Sequence, residues 1–228
     1  MKNTYQLEKW IWNQDDFDRL SWNDCYIRAV AFEDDILFDL DYVFYTEFSK
    51  VKSAEPKYWL SPVTLIFKRP TSFTVDMKMD AINGLRIIYI YKKISNKKSC
   101  YHLQGYEGNM MIECEAFEMI VRRPPSLQIS TALPDMERGS ISFAKLSEIK
   151  FQPDDVILKA REASYHLHDL RNQLYATSHE FDLFDFDNLN PKDKILKRRA
   201  FKKRIEELSI LVKNAESELV EIYTSRNS

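Results

Sequence analysis

The chain has 228 residues, enough to bury a substantial core as one large domain or as a domain with an appendage. Hydrophobic residues at 44%, charged residues at 30% and only four glycines exclude a disordered or low-complexity chain, and the 13% aromatic share suits sheets better than an all-helical fold. A formal net charge of -2 gives no whole-chain reason to expect a nucleic acid or an anionic membrane as partner.

Met1 to Leu20 carries Glu8, Asp15, Asp16 and Asp18 and has no apolar run, so no secretory peptide is expected. Nothing approaches the length of about eighteen apolar residues that a membrane span needs. Cys25, Cys100 and Cys114 are odd in number and form no CxxC pair, which fits reduced, buried thiols and a cytoplasmic location. Tyr5, Leu7, Trp10, Ile11 and Trp12 predict a short helix or an irregular wrap over a sheet edge.

From Cys25 to Arg123 the chain alternates by twos, the period of strands. Ile36, Phe38, Leu40, Tyr42 and Phe44 share one face, with Asp39 and Asp41 on the other. Val63, Leu65 and Phe67 repeat the pattern before Pro70, and Phe73, Val75, Met77 and Met79 repeat it again. Asn83-Gly84 is a turn signal, and Leu85 to Tyr91 after it reads as a central strand. Lys92 to Lys98 reads as a polar connection and Cys100 to Tyr106 as a strand closed by Gly108-Asn109. Met110 to Val121 reads as one long strand ended by Pro124-Pro125. Six or seven main strands with short connections favour antiparallel neighbours. Leu127 to Phe151 is expected to be the passage to the helices, with one more short strand at Ser140 to Phe143.

Beyond Pro153-Asp154 the period changes. Val156, Ala160, Ala163, Leu167, Leu170 and Leu174 step by threes and fours, as do Phe201, Ile205, Leu208, Val212, Ala215, Leu219 and Ile222. Asn190-Pro191 marks the second helix start, which would run about 50 Å to Tyr223. The expected fold is therefore α+β: a β-rich domain over 1–150, sandwich-like or strongly curved with a barrel as the alternative, then an antiparallel helical hairpin over 151–228. A hairpin with only one face of each helix buried is expected to lie on the sheet or on a second copy of itself.

Candidate binding residues are Trp22, Asp24, Asp39 and Asp41. Clustered carboxylates suit metal binding or acid–base work, but their simpler reading is solvent-facing or turn-anchoring. Trp22 reads as a core-edge indole and Asp24 as a turn former. No histidine lies near Cys25 in the sequence to activate it, and His166 and His168 lack the spacing of paired ligands, so no metal or cofactor is expected. The basic run from Lys192 to Arg204, with Lys197, Arg198, Lys202 and Arg204 as a candidate partner surface, follows the acidic residues Glu180, Asp182, Asp185 and Asp187.

The segments Leu20 to Ile27, Leu37 to Tyr42 and Trp59 to Phe67 carry a resemblance. They are similar to a family of uncharacterised bacterial proteins that combines a Trp-His-Asp-like cluster, an Asp-x-Asp-Tyr strand and a Ser/Ala-Pro-x-x-Leu-x-Phe segment. Trp22, Asp24, Asp39, Asp41, Tyr42, Pro62, Leu65 and Phe67 match that motif, and Asn23 stands where the family has histidine. The resemblance covers roughly residues 10 to 70 and implies the fold unit without an activity. The function expected first is a protein-interaction module, with toxin neutralisation as one form and a protein partner or homodimer implied. A carboxylate- or metal-dependent hydrolase is the alternative, and nucleic-acid binding ranks third.

Overall fold

The computed structural model describes residues 5–48, 55–77, 85–95 and 98–225. Two compact units divide the chain: one holds Met1–Glu47 and Lys57–Gln152, the other Phe48–Pro56 and Pro153–Ser228. The fold is α+β, an antiparallel sheet followed by a pair of packed helices.

Among the described residues ten strands build the sheet: β1 (Ile11–Asn13), β2 (Cys25–Phe32), β3 (Ile36–Glu47), β4 (Lys57–Lys68), β5 (Ser72–Met77), β6 (Leu85–Ser95), β7 (Lys98–Gly105), β8 (Gly108–Cys114), β9 (Ala116–Val121) and β10 (Ser126–Gln128). Their order is β1-β9-β4-β3-β2-β6-β7-β8-β5, and β10 extends the ladder of β4. The sheet curls on itself. Phe67 of β4 meets Tyr101 of β7 at 5.2 Å between ring centroids although β3, β2 and β6 lie between them in the ladder. The concave face carries the main core, including Phe38, Leu40, Leu65, Phe67, Tyr101 and Ile112.

Several elements differ from the sequence expectations, each for a local reason. The segment before Cys25 is an edge strand, β1, pairing with β9, then a 3-10 turn over Gln14–Arg19 capped by Asn13. That turn drops Phe17 into the core, where it contacts Trp22, Tyr101 and Phe117. Lys92 to Ser95 is strand rather than connection and pairs with Lys98 to Tyr101. The turn signals at Asn83-Gly84 and the residue Met79 lie outside the described residues.

Met110 to Val121 is two strands. Met110, Ile112 and Cys114 point into the core, then Phe117, Met119 and Val121 do so, and the change of phase at Glu115 moves the chain from β8, beside β7 and β5, to β9, beside β4 and β1. Gly108 opens β8 at φ +149°, and a Cβ there would come within 2.2 Å of the Asp76 carbonyl, so only glycine fits beside β5. Pro62 sits inside β4 at the changeover between its two neighbours, since β9 pairs from Val63 and β10 up to Leu60.

Residues 129–152 form a strap with a single four-residue helix, α1 (Asp135–Arg138), and coil over Ser140 to Phe143 where a strand was expected. It lies on the convex face of β3 and β4: Leu133 packs with Val43 and Leu60, and Phe143 with Leu37, Ile66 and Ile120.

In the second unit, α2 (Asp155–Leu183) starts on Asp154, whose carboxylate accepts the Ile157 N–H at 2.9 Å. α3 (Pro191–Ser225) starts on Asn190, which accepts the Asp193 N–H at 3.0 Å, with proline in the first position. Leu167, Leu170, Leu208 and Ala215 form their shared core. Glu55 donates its backbone N–H to Asn172 Oδ1 of α2 at 3.1 Å.

Candidate functional site

Asp39 and Asp41 share the convex face of β3 and both are completely buried, so the expectation of solvent-facing carboxylates is corrected. The strap covers them and supplies most of their partners. Arg138 of α1 donates through Nε to Asp41 Oδ1 at 2.7 Å and through its terminal nitrogen to Asp39. Arg122, just past β9, also pairs with Asp39 and donates to the Ser142 carbonyl at 2.6 Å. Two strap backbone N–H groups complete the set: Leu133 donates to Asp41 and Ser142 to Asp39, both at 3.0 Å.

The third arginine arrives through a bulge. The β2–β3 register shifts between Ile27 and Ala29, leaving Arg28 as the extra residue. Ile27 and Val30 both pack on the core side, so the bulge turns Arg28 to the convex face. There its Nε donates to Asp41 Oδ2 at 2.8 Å and its terminal nitrogen to the Leu133 carbonyl at 2.6 Å. All four carboxylate oxygens therefore hold protein donors.

Burial lowers the affinity of Arg122 for its proton, and Arg138 beside it works the same way against the pull of Asp39. For Arg138 burial is again the largest influence, but Asp41 and Asp39 together outweigh it and hold the proton more tightly than usual. Guanidinium groups stay charged throughout the ordinary pH range, so the cluster is ionic. Such a network adds little net stability over an apolar core, but removing one partner strands a buried charge at a cost of about 3–5 kcal/mol. Its chemistry is that of a clasp between sheet and strap.

The clasp continues along the strap. Arg123 donates to the Glu137 carbonyl at 2.9 Å, pairs with Glu148 at 2.9 Å and lies 4.1 Å from the centroid of Phe151. Buried Glu137 accepts from Gln128 at 2.8 Å and from Ser126.

The other candidates do not join this cluster. Trp22 is buried on the opposite, concave side against Phe17, Tyr42 and Phe117. Asp24 sits at the turn into β2 with φ 61°, a left-handed conformation that Asp tolerates, and none of the three arginines pairs with it. The buried thiols of Cys25 and Cys114 are each pushed up to about 12, chiefly by burial, and stay protonated at neutral pH. His166 and His179 are exposed and His102 half-buried, whereas His168 is buried, with Nδ1 3.8 Å from Glu55. Among the described residues no group of three or more His, Cys, Asp and Glu side chains is placed to hold a metal ion.

The basic run begins beside an aromatic knot at the hairpin turn. Phe181, Phe184, Phe186 and Phe201 interlock with ring centroids 4.7–6.3 Å apart. Lys197 lies 5.3 Å and 5.2 Å from the rings of Phe184 and Phe201, and Arg198 4.8 Å from Phe186. Lys194 pairs with Asp187 at 2.6 Å, which neutralises the helix start from the acidic loop. Arg204 reaches Glu207 at 3.8 Å, and Lys202 is exposed.

Sequence reasoning placed the two aspartates correctly on one strand face and missed their partners. Arg28, Arg122 and Arg138 are scattered along the chain, and only the apolar residues Leu37 and Val43, sharing the face of Asp39 and Asp41, signal that this face is covered. No family model, curated protein or solved structure matches the chain. Among the described residues no helix is long and apolar enough to cross a membrane.

Proposed function

We propose that this protein is a non-catalytic interaction module that docks an acidic protein partner through its helical hairpin. The observation carrying this reading is the hairpin surface. Ile195 and Leu196 are 53% and 55% exposed within a strongly basic run. Apolar side chains flanked by basic residues suit an interface with an apolar centre and a polar rim. The carboxylates that would serve a hydrolase are held by three arginines and two backbone N–H groups, which supports a structural task for them. Stoichiometric neutralisation of a bacterial toxin is one concrete form of such docking.

The test is affinity capture of the tagged full chain from its own cells, with mass spectrometry of the eluate. The reading expects one dominant stoichiometric protein that is lost when Lys202→Glu and Arg204→Glu are introduced together. An empty eluate, or a captured set that the two substitutions leave unchanged, would overturn it.

A further inference from the structure

α3 is electrically polarised along its length. Its first half holds Lys192, Lys194, Lys197, Arg198, Arg199, Lys202, Lys203 and Arg204 against Asp193 alone. Its second half holds Glu206, Glu207, Glu216, Glu218 and Glu221 against Lys213 alone. At about 3.6 residues per turn, Arg199, Lys203, Glu206, Ile210, Lys213 and Glu221 line the side away from buried Phe201, Leu208 and Ala215, with Glu218 beside them. All are exposed in the full chain. Among the described residues Arg199, Glu206, Lys213, Glu218 and Glu221 form no ion pair, and Lys203 reaches only Glu207, at 3.8 Å.

We propose that this outer face of α3 pairs antiparallel with the same face of a second copy, across a two-fold axis near Ile210. The proposal rests on the hairpin being an interaction element and assigns this outer face of it, apart from Lys202 and Arg204, to a second copy. A two-fold interface must be self-complementary, so that residue i of one copy meets j of the other and j meets i. With the axis between Ile210 and Leu211, Lys203 falls opposite Glu218, and within one residue of that register Arg199 falls opposite Glu221. Each pair has opposite charges and occurs twice. Ile210, 56% exposed, lies at the centre beside its symmetry mate. A parallel pairing would set the basic halves against each other. Because the seam is mostly ionic, the association is weak and salt-sensitive.

Sedimentation equilibrium of the full chain tests this, with circular dichroism confirming that each variant stays helical. Wild type should dimerise, more tightly at low salt. Arg199→Glu with Lys203→Glu, and separately Glu218→Lys with Glu221→Lys, should each weaken the dimer roughly tenfold or more. Mixing these two variants should restore it, because every cross-copy pair is then complementary again. A wild-type monomer at all soluble concentrations, a dimer indifferent to both charge reversals, or two dissociated variants that fail to recover on mixing would each overturn the proposal. Capture of a different protein by a monomeric chain would leave the docking function standing while this self-pairing falls.

Discussion

Arg138 and Asp41 are joined at 2.7 Å although almost a hundred residues separate them in the chain, and the bond fastens the strap to the convex face of the sheet. The same guanidinium reaches Asp39, so one strap arginine holds both strand carboxylates. This explains how a strand with two aspartates on one face sits in the middle of a sheet with neither carboxylate wet.

The clasp sets the first prediction. Asp39→Ala leaves Arg122 and Arg138 buried without their shared acceptor and should cost about 3–5 kcal/mol. Urea unfolding of the purified variant measures it. A loss under about 1 kcal/mol, the level of a surface pair, would contradict the clasp.

Arg138→Met keeps the length of the side chain and removes both bonds to the aspartates. The strap should then open more often, freeing the backbone around Lys145 and Lys150, whose side chains are already exposed. Limited trypsin digestion should cut there well before the rest of the sheet unit, whereas wild type should resist. Equal digestion patterns would show that the strap is held by its apolar contacts through Leu133 and Phe143 alone.

Alkaline pH probes the opposite face. The thiols of Cys25 and Cys114 rise in the folded chain to about 12, from about 8.5 when unfolded, chiefly through burial. Folding thus favours the protonated thiol. The stability this contributes is complete below about pH 8.5 and is lost as pH rises through the folded value. The urea midpoint should fall between neutral and strongly alkaline pH, and Cys25→Ala should flatten that fall. A thiol reagent at neutral pH should label Cys25 and Cys114 only after denaturant is added.

The hairpin turn depends on its aromatic knot. Phe201→Ala removes a ring that contacts Phe181, Phe184 and Phe186 and should destabilise the hairpin by about 3–5 kcal/mol. Helical ellipticity followed against temperature should show an earlier loss of helix. An unchanged melting curve would mean that Leu167, Leu170 and Leu208 hold the pair without the knot.

The hairpin was legible because both of its stripes and both of its caps are local: Asp154 and Asn190-Pro191 stand one position from the helices they start. The strands were legible where apolar residues recur by twos, as at Ile36 to Phe44. They were misjudged where the alternation changes phase, at Glu115, and where a basic tail, Lys92 to Ser95, continues a strand past its buried part. The clasp was illegible for a different reason. A carboxylate on a strand face looks the same in sequence whether water or a distant arginine meets it, and Arg28 reaches that face only through a bulge. No periodicity encodes the approach of residues 122 and 138.

The central claim, that the hairpin docks an acidic partner, is tested most directly by titrating the captured protein against the full chain and its Lys202→Glu, Arg204→Glu variant at two salt concentrations. The account predicts that affinity for wild type falls with salt and that the variant binds roughly tenfold or more weakly at low salt, with unfolding stability unchanged. Equal affinities for the two chains, independent of salt, would contradict it.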